Sequence, residues 1–337
     1  MLLKSSIEKL MRGEDLQSKI CQQVLEEILC PTINPLQTAA FLVLLRAKSE
    51  TVDELSAIVK VFRSRMLVVP TDHTVLDIVG TGGDALNTVN ISTGSAILAA
   101  SCGVKIAKHG NRSMSSLTGS ADVLEALGVN IQLTPEQISK SIDQVGIGFC
   151  YSPNFHPITQ AFRDFRKTLN VPTTFNILGP LLNPAKASHI ILGVPDEALL
   201  SIMADVLIKL GSEQSMVVHS RGLDEISCAG PTKIIEVKQQ EKIERIIDPQ
   251  QFDLQTCTIA DLRGGNASIN AGLLLEAFKG KRGPIADTLI LNAAIALYLY
   301  GLHSSISEAL LQARDSLYHG AALRLLNNWI EFSYEQT

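Results

Sequence analysis

Residues 75–84 read Val-Leu-Asp-Ile-Val-Gly-Thr-Gly-Gly-Asp. A short run rich in branched aliphatics enters three glycines, and a helix-like segment, Thr93 to Cys102, follows. Strand, glycine turn and helix in that order open an α/β sheet. Glycines let the backbone approach an anion closely, and their amides supply hydrogen bonds. The helix after Asn90, Ile91, Ser92 and Thr93 adds the positive end of its dipole. The stretch therefore predicts a phosphate or pyrophosphate cradle; a tight turn needing positive φ is the plain alternative. Gly80-x-Gly82-x-x-Ala85 fits a dinucleotide fingerprint only loosely. That fingerprint wants an acidic residue at the end of the next strand for the ribose hydroxyls, and here the strand ends in Lys108-His109. A P-loop Gly-Lys-Ser/Thr is absent as well.

Working outward, strands and helices alternate. Val104–Lys108, Ile147–Cys150, His189–Val194 and Gln214–His219 read as strands. Ala121–Leu127, a capped helix from Thr134-Pro135-Glu136-Gln137, and Asp196–Leu210 lie between them. Lys233–Val237 and Lys242–Ile247 predict an antiparallel edge or hairpin, and helices return from Ala267 to Ile330, with a capping box at Ser305 to Glu308. Upstream of Pro70 only helical patterns occur, among them a helix opened by Pro35 and a capping box at Thr51 to Glu54. Such short helices must pack on one another to persist in water. The expected fold class is α/β: a small all-helical domain plus a larger α/β domain with a mostly parallel central sheet covered by helices. The segment from His156 to about Ala185 does not alternate. It is expected to leave the sheet and pack on the first helices. The small domain then comprises 1–70 plus about 160–185, and the large one 71–159 plus 186–337, with a cleft between them.

The chain has 337 residues, 29 Lys plus Arg and 34 Asp plus Glu, hence 29 − 34 = −5, and is 46% hydrophobic. That apolar content excludes a disordered chain, and the lack of basic excess argues against nucleic acid as a partner. The longest apolar stretch, Thr288 to Tyr300, is interrupted by Asn292 and falls short of the roughly 20 residues a membrane span needs. The N-terminus is charged throughout and does not read as a signal peptide. The six cysteines show no C-x-x-C pair and none stands beside a His at a zinc-ligand interval. Buried reduced thiols of a cytoplasmic protein are expected.

Three further clusters carry chemistry. Lys108, His109, Gly110, Asn111, Arg112, Ser113, Met114, Ser115 and Ser116, with Ser120, put cations and hydroxyls on a loop after the second strand, suited to phosphate oxygens; a solvated polar loop is the bland reading. Asp224-Glu225, after a later strand, offers hard oxygen ligands for Mg2+, which takes one or two carboxylates plus phosphate oxygens and water. Arg163 and Arg166 share a helical face, whereas Arg166 and Lys167 do not; one arginine could clamp a carboxylate, or the face could simply be solvated.

Taken together these segments resemble the anthranilate phosphoribosyltransferases, within the nucleoside phosphorylase-like phosphoribosyltransferases. The resemblance covers essentially the whole chain and rests on GTGGD at 80–84, NIST at 90–93, KHGNRSMSS at 108–116, GSADVLEALG at 119–128, FNILGPLLNP at 175–184 and GLDEIS at 222–227. It implies transfer of the phosphoribosyl group of 5-phosphoribosyl 1-pyrophosphate to the amine of anthranilate, in tryptophan biosynthesis. It also implies a homodimer joined through the helical domains, and Mg2+. Carried over residue by residue, it assigns Gly80, Gly83, Asp84, Thr88, Asn90 to Thr93, Lys108 to Ser116 and Ser120 to the ribosyl donor. Gly80, Asn111 and Arg166 fall to anthranilate, His109 and His156 to its path, and Ser92, Asp224 and Glu225 to magnesium. No acid–base dyad is evident, and Lys108 is the residue best placed to stabilise the leaving group. Three positions depart from the family's usual pattern: Asn170 stands for a glycine and Pro172 for an arginine beside the acceptor, and Arg221 adds a cation before the acidic pair. The alternatives are a pyrimidine nucleoside phosphorylase of the same fold, a phosphoribosyltransferase for another aromatic amine, and a non-catalytic relative.

Overall fold

The computed structural model describes residues 2–30, 32–113, 117–159, 169 and 171–335. Four helices come first: α1 (Leu2–Met11), α2 (Ser18–Ile28), α3 (Pro35–Lys48) and α4 (Val52–Ser64). Pro35 sits in the first turn of α3, where its missing N–H costs nothing. The capping box at Thr51 is complete: its hydroxyl accepts the Glu54 amide (3.2 Å), and Glu54 Oε2 accepts the Thr51 amide (2.8 Å). Glu54 is fully buried because it also receives the Leu16 amide and the Lys48 ammonium. Leu3, Val24, Phe41, Leu55 and Phe62 close the core of this bundle.

The sheet follows, with β1 (Leu76–Gly80), β2 (Ile106–Gly110), β3 (Ile147–Tyr151), β4 (His189–Gly193), β5 (Gln214–His219), β6 (Thr232–Lys238) and β7 (Glu241–Ile247). Their spatial order is β3-β2-β1-β4-β5-β6-β7. The first five are parallel, and β6 and β7 are an antiparallel hairpin on the edge. The chain winds outward from β1 to β3, then returns to place β4 on the other side of β1. The order of the strands reverses at β1, and open α/β sheets bind ligands at the carboxyl ends of strands near such a reversal.

The two faces of the sheet differ because side chains alternate along each strand. Leu76, Ile78 and Ile106 point into a core shared with α5 (Ile91–Ser101) and the C-terminal helices. Ala107, Ile190 and Leu192 point the other way, into a core continuous with the helical bundle. Helices α6 (Ser120–Ala126), α7 (Pro135–Gln144) and α8 (Leu199–Lys209) lie between the strands in sequence. Helices α9 (Ala267–Phe278), α10 (Pro284–Tyr300), α11 (Ile306–Tyr318) and α12 (Ala321–Glu335) complete the chain. The apolar stretch around Asn292 is helix α10, and Asn292 is satisfied inside it by the carbonyls of Ile226 and Thr288 (2.7 and 2.8 Å). Among the described residues no helix is long and apolar enough to cross a membrane.

Two local expectations change. Ser305 caps α11 through the Glu308 amide, but the Glu308 carboxylate turns to the Ser304 hydroxyl (2.9 Å), so the box is half formed. All six cysteines are free thiols, yet Cys30, just past the end of α2, is exposed.

Phe175 stacks edge-on against Phe62 (5.5 Å), the Thr174 hydroxyl donates to Glu50 (2.6 Å), and Arg63 Nε donates to the Leu181 carbonyl (2.9 Å). Chain 173–185 thus lies against the bundle and forms one wall of the crevice. Positions 160–168 and 170, with Arg163, Arg166, Lys167 and Asn170, lie outside the described residues.

Candidate active site

A cleft of about 320 Å³ opens at the carboxyl ends of β1 and β2, between the sheet and the wall of Phe175, Leu178 and Pro180. Its floor is the glycine loop. Gly82 and Gly83 have φ of 72° and 89°, so the loop is the positive-φ turn that glycine permits. Gly80, the last residue of β1, is needed for space: a Cβ there would overlap the Asp224 carboxylate. The Gly82 amide donates to Asp224 Oδ2 (2.6 Å). Asp84 holds the loop by accepting the Leu86 amide (3.2 Å).

Next along the chain, Asn90 precedes α5 and is fixed from both ends. Its amide donates to the Thr118 carbonyl (3.2 Å), and its oxygen accepts from Asn270 (2.8 Å). The Ser92 amide, in the first turn of α5, donates to Glu225 Oε1 (3.2 Å). Thr88 bridges to Arg263 on the chain that leads into α9.

Lys108 is 2% exposed. Its ammonium donates to the Ile78 carbonyl (2.7 Å) and the Ser92 hydroxyl (3.3 Å), at the head of α5. Burial lowers its pKa, and the charges of Asp77 and Glu225 oppose that fall. On the opposite face of β2, His109 Nδ1 lies 3.1 Å from the Gly179 carbonyl and Nε2 lies 3.2 Å from His156 Nε2. The carbonyl assigns the proton to Nδ1, so Nε2 accepts from His156. Burial pulls the two rings down to about 3 and about 4, and the pair is neutral at physiological pH.

The acidic pair follows β5. Asp224 is buried, and its pKa is pushed up to about 7 by burial and then by the charge of Asp84. Glu225 is raised well above its ordinary value by burial and then by Asp224. Its Oε2 is occluded and has no hydrogen-bond partner among the described residues. The charges of Asp84 and Asp224 both bear on Glu225, beside Lys108 and the glycine loop. Among the described residues no three His, Cys, Asp or Glu side chains form a ready-made cage. Part of any coordination shell must then come from ligand and water, as is usual for Mg2+.

The arrangement differs from the sequence expectation at two cations. Arg112 lies in the cleft wall, but its guanidinium is spent on Glu125 (2.6 and 2.9 Å) and Asp122 (3.0 Å) of α6 and faces the Tyr151 ring (5.7 Å). Asp122 also accepts the Ser113 and Gly119 amides (3.0 and 2.9 Å), so this network shapes the loop around Asn111. The Arg221 side chain packs over Gly230 and does not line the cleft. Gly110 and Ser120 lie against each other: a Cβ on Gly110 would overlap the Ser120 hydroxyl. Met114, Ser115 and Ser116 lie outside the described residues.

Other functional positions were not singled out from sequence. Gly193 ends β4 in register with Gly80, and a Cβ on it would overlap the Asp224 backbone. Its signal was a second strand-ending glycine. Asn183, Asn270 and Thr118 had no local signal, since each acts through a partner more than 20 residues away.

Comparison with known proteins agrees with this geometry. Residues 4–66 match the helical bundle domain of a glycosyl transferase family, and residues 72–323 match its a/b domain. The chain is 45% identical over 303 residues to the anthranilate phosphoribosyltransferase of Chlamydia felis, covering 90% of this chain and 88% of that one. It is 44% identical to that of Alkaliphilus metalliredigens, covering 99% of both. Among solved structures, the Thermus thermophilus anthranilate phosphoribosyltransferase superposes with a TM-score of 0.91 at 36% identity, covering 98% of this chain and 99% of that one. The Saccharomyces cerevisiae enzyme in complex with PRPP and Mg gives 0.90 at 29% identity, covering 99% and 98%. The chain belongs to the anthranilate phosphoribosyltransferase family, glycosyltransferases of tryptophan biosynthesis.

Proposed function

We propose that the cleft binds 5-phosphoribosyl 1-pyrophosphate along the glycine loop and the head of α5, and receives anthranilate from the side of His109 and the 175–183 wall. The carrying observation is the convergence of Lys108, the Ser92 amide and the unpartnered Glu225 Oε2 on one point beside the loop. Pyrophosphate leaves as ribose C1 becomes cation-like, so the site must neutralise a departing anion. Lys108 and the loop amides do this from the protein side. Mg2+, held through Asp224, Glu225 and the Ser92 hydroxyl, supplies further charge neutralisation when bound. An aromatic amine is already nucleophilic and needs no strong base, which suits a histidine pair that stays neutral. Rate then comes from positioning.

The remaining donor contacts are Gly80, Gly83, Asp84, Thr88, Asn90 to Thr93, Lys108 to Ser116 and Ser120. The acceptor contacts are Gly80, Asn111, Arg166, His109 and His156. The chemistry of the Saccharomyces cerevisiae structures, one with PRPP and Mg and another with 4-fluoroanthranilate, supports both halves of this reading. We also assign 160–185 to the helical domain, on the contacts of Thr174, Phe175 and Leu181 with α4 and its approach. A homodimer through that domain is supported by exposed Met11 and Leu36, and a cytoplasmic setting by six thiols without a disulfide. The test is loss of anthranilate fluorescence with 5-phosphoribosyl 1-pyrophosphate and Mg2+. Thymidine cleavage by phosphate with no loss of anthranilate would favour the nucleoside phosphorylase reading.

Two expected outcomes follow from particular residues. Arg166→Ala should raise KM for anthranilate about tenfold or more, the cost of losing a charge-assisted pair, and leave KM for the ribosyl donor nearly unchanged. Equal changes in both constants would remove Arg166 as a carboxylate clamp. The second concerns Asp224, held at about 7 against an ordinary 3.8. Between those values the folded chain keeps a proton that the unfolded chain has released. This stabilisation is therefore present in acid and lost as pH rises through about 7. Mg2+ takes the proton's place, so the gain in melting temperature given by Mg2+ with pyrophosphate should grow from about pH 5 to about pH 8. A gain independent of pH contradicts this.

A further inference from the structure

Strands β1 and β2 pair at a single register position, Leu76↔Ile106, whereas β1 and β4 pair at five. The Leu76 amide donates to the Lys105 carbonyl (2.9 Å), as a regular parallel ladder requires. Continued by two residues, that ladder would join the Ala107 carbonyl to the Ile78 amide, and the Ile78 carbonyl to the His109 amide. Instead, side chains take three of these four groups. Asn183 Nδ2 donates to the Ala107 carbonyl (2.7 Å), Lys108 Nζ to the Ile78 carbonyl (2.7 Å), and the His109 amide donates to Asp77 Oδ1 (3.2 Å). Asp77 Oδ2 closes the set by accepting from Asn183 Nδ2 (2.7 Å).

Asp77 and Asn183 are 0% and 1% exposed. A carboxylate on an apolar sheet face costs several kcal/mol unless it is fully bonded, and here it faces the core shared with the bundle. Hydrophobic residues would let the strands zip together. The retained polar set holds them apart under the cleft.

We propose that Asp77, with Asn183, is a wedge that keeps β1 and β2 splayed, and so is a positioning residue for the transfer reaction. The splay lets Lys108 reach through to the Ile78 carbonyl and the head of α5, on the donor side. On the other face it sets His109, whose ring meets Gly179 of the same segment that carries Asn183. One carboxylate thereby fixes the spacing between the two substrates. The inference rests on the function proposed above.

Asp77→Asn is the test. Its oxygen still accepts the His109 amide, but its NH2 confronts that of Asn183. Asn183 cannot flip, because its oxygen holds the Ala185 amide (2.8 Å) while its NH2 serves Ala107. The folded variant should lose at least about tenfold in kcat, with KM raised for both substrates. Asn183→Ala should reproduce that pattern, and the double variant should be little worse than Asp77→Asn, as coupled residues behave. A folded Asp77→Asn enzyme with kcat and both KM values within about twofold of the wild type overturns the wedge, as does simple additivity of the two changes. If Asp77→Asn does not fold, Asn183→Ala decides alone: the same kcat and KM pattern supports the wedge, and wild-type kinetics overturn it. Absence of transfer activity in the wild-type chain would instead sink the functional reading.

Discussion

Lys108→Met should reduce turnover by about 10²–10³, the scale for removing one preorganised charge from a developing anion. Methionine keeps the length and apolar stem of lysine and loses the ammonium. The effect should be large because few cations among the described residues are free to replace it. Arg112 is bound to Glu125 and Asp122, and Arg221 lies over Gly230. It should fall on kcat, since Lys108 sits at the head of α5 with Ser92, where the proposed donor pose puts the leaving group. A stability loss of about 1–3 kcal/mol should accompany it, because the buried Ile78 carbonyl loses its donor. Steady-state rates at saturating Mg2+ and both substrates, beside a thermal melt, separate the two effects. A fall in kcat of less than about tenfold would move leaving-group stabilisation away from Lys108.

Gly193→Ala should be about as damaging, although Gly193 bears no side chain. The register places it opposite Gly80, at the point where the sheet reverses direction, and the Asp224 backbone crosses directly over it. A methyl group there must push the acidic loop outward, because backbone atoms cannot rotate aside as a flexible side chain can. Displacing Asp224 and Glu225 by about 1 Å is expected to cost about 10² in rate. The concentration of Mg2+ giving half-maximal rate should rise with it, which loss of fold alone would not produce. Wild-type magnesium dependence in a folded Gly193→Ala protein would mean that the acidic loop does not depend on this glycine.

The sequence made the local rules legible. Thr51 and Thr134 with their partners marked helix starts, since a capping box is read from four residues. The glycine loop and the Lys108 loop could be placed at one crevice because each follows a parallel strand. Non-local geometry was less accessible. Arg112 looks like a free cation in sequence, and only the turn through Gly119 delivers Glu125 to it. Asn183 and Asp77 are separated by 106 positions, and their bond depends on the 173–185 segment passing beneath the sheet. Gly193 matters because of strand order, which no single stretch encodes. Ser305 and Glu308 show the reverse failure: the spacing is right, but Ser304 competes for the carboxylate.

The most direct measurement of the central claim is the stoichiometry of pyrophosphate release against anthranilate consumption in one reaction. With 5-phosphoribosyl 1-pyrophosphate and Mg2+ both present, the expected result is one pyrophosphate for each anthranilate lost, and neither change when any component is omitted. Pyrophosphate release that proceeds equally well without anthranilate, or anthranilate that stays unconsumed while another aromatic amine is ribosylated, would contradict the account.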